Sequence, residues 1–282
     1  MMPELPEVET VRRIVLPQVR GRQIQSVEVL HPQVISYPGT ETFVSRLSKQ
    51  TIVDMQRRGK FLSFCLENRD RLFLHLRMTG QLLVMPAGFP EVKHTHLVMQ
   101  LSGETQIRYI DVRRFGRFWL LRKDEPESIV GTDKLGPEPL DEQLTAEKLR
   151  VILGSRKKPI KEMLLDQNVI AGIGNIYSDE ILFAARIHPM ERCADLDESA
   201  WDRFAASVHA VIAWAIEANQ MSPEEYLAGR GKEYRNTTGL KVYGHAGEPC
   251  PRCGAILQKT TIAGRSSVFC PACQRHVHEN SV

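Results

Sequence analysis

Phe61-Leu-Ser-Phe-Cys-Leu66, Glu67-Asn-Arg-Asp70 and Arg71-Leu-Phe-Leu-His-Leu76 follow one another directly. Two short apolar runs around a polar break with Asn68 at its turn predict antiparallel strands, because runs of this length bounded by turn residues suit a strand better than a helix. Working outward, Gln23–Leu30, Thr51–Met55, Leu97–Leu101, Gln106–Ile110 and Phe115–Leu121 also read as strands, with Gly80 and Gly103 as further turn signals. Strands packed as a sandwich or barrel, with helices at the edges, are therefore expected from about residue 22 to 122. Before them, Val8, Val11, Ile14 and Val15 have helical spacing, so a helix is expected within residues 3–20.

Gly136-Pro-Glu-Pro139 lies in a stretch of linker composition, after which the period turns helical. Trp201, Phe204, Val208, Val211 and Ile212 fall on one face of a helix that Asp197 or Ser199 would cap. At the end of the chain, Cys250-x-x-Cys253 and Cys270-x-x-Cys273 have the spacing of a four-thiolate zinc site. Two disulfides are the alternative, disfavoured in a chain without a secretion signal. With four protein ligands the ion would be structural. Cys65 and Cys193 read as plain thiols.

The composition, 42% hydrophobic and 25% charged, is that of an ordinary globular protein, and no apolar run approaches the roughly 20 residues needed to span a bilayer. A cytoplasmic location and no membrane association are expected. A net charge of +3 is too small to imply a polyanionic partner. Its distribution says more, since Arg156-Lys-Lys-Pro-Ile-Lys161 is a basic cluster and residues 250–278 carry Arg252, Lys259, Arg265 and Arg275 with no acidic residue among them. Two such patches fit phosphates along an extended ligand, and solvated faces are the ordinary alternative.

Met1-Met-Pro-Glu4 opens a second line of argument. A proline freed at the terminus is a secondary amine with a reference pKa of roughly 8, so more of it is unprotonated at neutral pH than of lysine. Its adduct with an aldehyde is an iminium ion, an electron sink for elimination, and Glu4 stands beside it to exchange protons. The bland reading is a proline-stiffened start. Gly172-Ile-Gly174 before a helix near Asn175 would aim backbone N–H groups at a phosphate, or simply pack. Ala263-Gly-Arg265 reads as the tip of a hairpin between the cysteine pairs, where the arginine is either a probe or a surface charge. Lys60 heads an apolar strand, where a plain strand-end charge is the usual reading. Met78 and Phe115 lie next to arginines and glycines at strand ends, suited either to the core or to filling the gap left by an unstacked base.

Together these residues resemble the bacterial formamidopyrimidine-DNA glycosylases. The resemblance runs from Pro3 to about Arg275 and rests on Pro3-Glu-Leu-Pro-Glu-Val-Glu9, Arg57-Arg-Gly-Lys60, His75-Leu-Arg-Met78, Asp111-Val-Arg-Arg-Phe-Gly116, Gly174-Asn-Ile-Tyr177 with Glu180, Val242-Tyr-Gly244 and the cysteine finger with Arg265. It implies an α+β chain: an N-terminal β-sandwich domain with flanking helices (3–130), a linker (131–144), a helix-two-turn-helix domain (145–228), a lesion-capping loop and connector (229–244) and a zinc-finger β-hairpin (245–278). It further implies a monomer that performs base excision repair on damaged double-stranded DNA, held in a cleft between the halves, in the bacterial cytoplasm with the nucleoid. By that likeness Pro3 is the nucleophile, Glu4 its proton-transfer partner, Lys60 the β-elimination lysine and Arg265 the δ-elimination arginine. Met78, Arg113 and Phe115 would fill the gap left by a flipped base, and His94, Arg156, Lys161 and Asn175 would lie near phosphates. Cys250, Cys253, Cys270 and Cys273 would hold one zinc ion, with no other cofactor.

Two departures stand out. Met1-Met2 does not permit simple initiator removal, so translation is expected to start at Met2, and Tyr226–Gly239 differs from the family's glycine-rich capping loop. The rival readings are an endonuclease for oxidised pyrimidines, disfavoured by Leu5 and the Met78, Arg113 and Phe115 trio, and a damage-binding protein without catalysis should Pro3 stay blocked.

Overall fold

A computed structural model describes residues 2–231 and 238–276, which divide into two compact units. The first comprises the chain up to Lys134 and a returning segment from Asn219, and the second the remainder.

In the first unit, helix α1 (Leu5–Val19) starts where expected. Glu4 is its N-cap, and the Glu7 carboxylate accepts the Glu4 N–H at 2.7 Å, satisfying one of the donors a helix start leaves open. Strands β1 (Ile24–Val29), β7 (Thr95–Leu101), β8 (Thr105–Asp111) and β6 (Gly80–Pro86) form one sheet in that order. The other runs β2 (Ile35–Tyr37), β9 (Arg117–Leu121), β5 (Arg71–His75), β4 (Phe61–Leu66) and β3 (Ile52–Arg58). The β4–β5 pair is antiparallel, with Phe61 opposite His75 and Cys65 opposite Arg71. The inner faces share one core, in which Tyr109 of β8 meets Phe118 of β9 edge-on at 5.0 Å, so the sandwich alternative holds over the barrel. Helix α2 (Thr40–Leu47) buries Phe43 and Leu47 in that core.

One expectation needs correction. Gly80 opens strand β6 instead of marking a turn: a Cβ there would lie 2.4 Å from the Leu76 carbonyl oxygen and 2.7 Å from the Tyr109 hydroxyl. Glycine is thus required by close approach. Helix α7 (Pro223–Ala228), at the end of the expected helical segment, packs on α1 and β6 and buries Tyr226 in the sandwich core.

The second unit contains α3 (Ala146–Leu153), α4 (Ile160–Leu165), α5 (Asn175–Ala185), α6 (Glu198–Ala218) and the hairpin β10 (Gln258–Ile262) and β11 (Arg265–Phe269). Asp197 caps α6, its carboxylate accepting the Ala200 N–H at 2.7 Å. The expected linker is pinned: Gly136 N–H donates to the Gln167 carbonyl at 2.9 Å and the Pro137 carbonyl accepts from Ala171 at 3.0 Å.

Candidate active site and nucleic-acid interface

In the first unit, Pro3 and Glu4 are buried where the chain enters α1, Glu4 being only 3% exposed. Lys60 is 5% exposed, although a surface strand-end charge was its plainest reading. Arg58 pairs with Phe61, leaving Gly59 (φ +54°) and Lys60 as a two-residue hairpin turn. Arg57 braces this turn, its Nη1 donating to the Gly59 carbonyl at 3.2 Å and its Nε to Glu9 at 3.2 Å. Glu9 also binds Arg12 and Arg13, so α1 is tied to the turn that carries Lys60.

His75 is buried between Phe61, whose ring it meets edge-on at 4.6 Å, and the Arg77 backbone, whose N–H donates to His75 Nδ1 at 3.0 Å. Burial, with the charges of Arg77 and Lys60, pushes its pKa down to about 3, so it is neutral at physiological pH.

Beyond β5, the side chains of Met78, Arg113 and Phe115 come together. Arg113 lies over the Phe115 ring at 4.5 Å and donates to Met78 Sδ at 3.1 Å. Phe115, expected within a strand, lies before β9 and is 45% exposed. Asp111 holds both segments. Its carboxylate accepts hydrogen bonds from the Thr79 hydroxyl, the Tyr109 hydroxyl (2.8 Å) and the backbone N–H groups of Gly116 (2.9 Å) and Arg113 (3.1 Å). Burial acts to raise the Asp111 carboxyl, but these hydrogen bonds prevail and hold it below its ordinary value. The Asp111 N–H donates to the carbonyl of exposed His94 at 3.0 Å, which sets His94 beside the same segment. Met2, Arg77, Met78, Phe115 and Arg117 line one open depression of 430 Å³.

In the second unit, Asn175 begins α5, and its Oδ1 is buried with no partner among the described residues. Gln167 shapes the turn before it: Oε1 accepts the Gly172 N–H at 3.0 Å while Nε2 donates to Ile173 at 2.7 Å and Leu165 at 3.1 Å. No period or motif in the sequence singled out Gln167. Arg156 is exposed, as a phosphate ligand must be. Lys161 is not, with 0% of its side chain exposed and its ammonium 2.5 Å from Asp179. The expected phosphate contact is therefore corrected, since an engulfed, paired ammonium does not face a ligand. Burial raises the Asp179 carboxyl, opposed by Lys161, Ser267 and the Val268 N–H. Glu180 accepts three consecutive backbone N–H groups, from Lys241, Val242 and Tyr243, at 2.8–2.9 Å.

Arg265 is exposed at the start of β11, after Ala263 (φ +47°) and Gly264 (φ +71°). The four Sγ atoms of Cys250, Cys253, Cys270 and Cys273 lie within 4.8 Å of one another, with Cys253–Cys270 at 3.5 Å and Cys250–Cys273 at 4.0 Å. These separations bracket the edge of about 3.8 Å that a ZnS₄ tetrahedron with 2.3 Å bonds requires, and far exceed a disulfide. The N–H groups of Arg252 and Cys273 donate to Cys250 and Cys270 sulfurs at 3.4 Å, the support a thiolate site needs. The donor set fits one structural zinc ion, held by all four thiolates. Of the expected capping loop, residues 232–237 lie outside the described residues.

The chain thus combines a β-sandwich, a helical domain and a four-thiolate finger, and comparison with known proteins identifies the class that shares this combination. Residues 2–118 match the formamidopyrimidine-DNA glycosylase N-terminal domain, 135–225 the formamidopyrimidine-DNA glycosylase H2TH domain and 247–275 the zinc finger found in FPG and IleRS. The formamidopyrimidine-DNA glycosylase of Moorella thermoacetica is 45% identical over 92% of this chain and 94% of its own. Lactococcus lactis Fpg in complex with oxidized pyrimidine-containing DNA superposes with a TM-score of 0.88 at 38% identity, covering 97% of this chain and all of that one. The same protein with Fapy-dG-containing DNA gives 0.87 at 39% identity over 96% and 100%. The chain belongs to the formamidopyrimidine-DNA glycosylase family, a family of DNA glycosylases with lyase activity. No helix among the described residues is long and apolar enough to cross a membrane.

Proposed function

We propose that this protein excises oxidised purines, 8-oxoguanine and formamidopyrimidines, from duplex DNA in the bacterial cytoplasm and then cuts the strand at the resulting abasic site. The observation that carries the reading is that Met2, the residue bonded to Pro3, lines the same depression as Met78 and Phe115. An amine released at Pro3 then sits beside the apolar groups suited to fill the gap left by an everted nucleotide.

Pro3 nitrogen attacks C1′, the C1′–base bond breaks, and Glu4 moves protons on the sugar ring oxygen as it opens to the iminium. Loss of a C2′ proton breaks the C3′–O bond and releases the 3′ phosphate (β-elimination), with Lys60 assisting. Loss of the C4′ proton then breaks the C5′–O bond, and Arg265 stabilises the departing 5′ phosphate (δ-elimination). Arg113 pairs with the orphaned cytosine, and His94, Arg156 and Asn175 take phosphates. The zinc ion staples the hairpin and takes no part in bond making.

Borohydride trapping of natively processed protein on a duplex with 8-oxoguanine opposite cytosine, followed by mass mapping, tests this. The expected adduct is on Pro3. Tight binding without an adduct, with Met2 retained, would instead make the chain a damage-binding protein. Trapping only on duplexes with an oxidised pyrimidine would transfer the activity to that lesion class.

A further inference from the structure

The three residues that follow Arg265 in β11 are each hydrogen-bonded to one buried ion pair. Lys161 Nζ donates to the Ser266 carbonyl at 3.1 Å; Asp179 Oδ1 accepts from Ser267 Oγ at 2.7 Å and its Oδ2 from the Val268 N–H at 3.0 Å. Lys161 comes from α4 and Asp179 from α5, with side chains 0% and 1% exposed. We propose that Asp179, with Lys161, is a positioning residue for δ-elimination: the pair fixes the seat and register of β11 and thereby where the Arg265 guanidinium is presented. The inference rests on the role of Arg265 proposed above.

The base of the finger has other attachments to this unit. Phe183 of α5 packs with Val242, Cys250, Leu257, Val268 and Cys270, Arg252 lies over the Phe183 ring at 4.5 Å, and Gln274 Nε2 donates to the Ile187 carbonyl at 2.9 Å. Neither the thiolates nor these contacts involve the pair, whereas the strand that begins at Arg265 would lose the three hydrogen bonds it makes to the pair. A buried ion pair stabilises a fold no better than apolar residues of its size, but its directional bonds discriminate one register from the next. A one-residue slip of β11 would turn every side chain to the other face of the hairpin.

The test is single-turnover cleavage of a duplex with a preformed abasic site, resolving β from β,δ products, by wild type, Arg265→Ala, Asp179→Asn and the double variant Lys161→Met/Asp179→Leu. The double variant leaves no uncompensated charge and guards against loss of folding. Arg265→Ala should stop at the β product. Asp179→Asn and the double variant should retain zinc and slow δ-elimination by about tenfold while slowing β-elimination less than about threefold. Wild-type product ratios in both Asp179 variants, with Arg265→Ala arrested at β, would overturn the inference alone. Continued δ-elimination by Arg265→Ala would overturn the underlying reading of Arg265 itself. Equal loss of both steps with loss of zinc would make the pair merely structural and also overturn it.

Discussion

The Tyr109 hydroxyl donates to Asp111 Oδ2 at 2.8 Å, and the same carboxylate oxygen accepts the Gly116 N–H at 2.9 Å. One buried phenol thus sets the height of the loop that carries Arg113 and Phe115. Gly116 is required there, because a Cβ would fall 1.8 Å from the Tyr109 hydroxyl oxygen.

Gly116→Ala is therefore expected to destabilise the first unit by about 2–3 kcal/mol through overpacking. Tyr109→Phe removes the obstructing oxygen and one hydrogen bond to a charge, costing about 1.5–3 kcal/mol alone. In the double variant the two losses should be less than additive. Urea melts of the four proteins check this, and strict additivity would rule out the contact.

His75 makes stability pH-dependent. Its pKa lies near 3 when folded against about 6.5 when unfolded, so between these values the unfolded chain binds the extra proton. Stability is present in full above the unfolded pKa and falls as pH drops, by about 1.4 kcal/mol per pH unit in the middle of the window. His75→Gln should remove about one proton from the slope between pH 6 and 4, measured by denaturant unfolding at each pH.

Gln167→Ala removes the three hydrogen bonds that this side chain makes to the Gly172 N–H and to the Ile173 and Leu165 carbonyls, and is expected to cost about 1–3 kcal/mol. By loosening the turn before Asn175 it should also weaken DNA binding and make the salt dependence shallower by about one phosphate contact. A salt titration of affinity would show an unchanged slope if that turn holds no phosphate.

Cys270→Ser should abolish stoichiometric zinc and unseat the hairpin. Metal analysis should find about one zinc ion per wild-type chain and much less in the variant. The first unit contributes none of the four thiolates, so its unfolding transition should remain.

Ala263 sits at φ +47° in the two-residue turn of the β10–β11 hairpin, with Gly264 also at positive φ. Asn suits this first position of a type I′ turn better than Ala. Ala263→Asn should raise the stability of the second unit by roughly 0.5–1 kcal/mol, read as an upward shift of its melting transition.

Elements with a strong local signal were legible from the chain alone. The α1 stripe, the strands around Asn68, the Asp197 cap and the cysteine spacing each lie within one element or one motif. Strand β6 was missed because all but its last residue is buried, which erases the alternation that marks a half-exposed strand, and because Gly80 looks like a turn. Helix α7 lies far along the chain yet packs on α1, a long-range pairing that local period does not encode.

Lys161 draws the line most clearly. Within a run of basic residues it reads as one more solvated charge, yet it follows buried Ile160 and precedes buried Met163 and Leu164, and its counter-ion Asp179 comes from the next helix but stands 18 residues away. By contrast, order in the chain offered an amine and a carboxylate at Pro3 and Glu4, whereas the roles expected of Lys60 and Arg265 came only with the resemblance to the glycosylase family. What the sequence by itself determined are the features written in neighbouring residues: helical and strand periods, caps, turn glycines and metal-ligand spacing. Only the tertiary structure decided which charges are buried and paired, that Asp111 gathers Thr79, Tyr109, Arg113 and Gly116, and which side chains stay exposed, since burial and hydrogen bonding depend on elements brought together from distant parts of the chain.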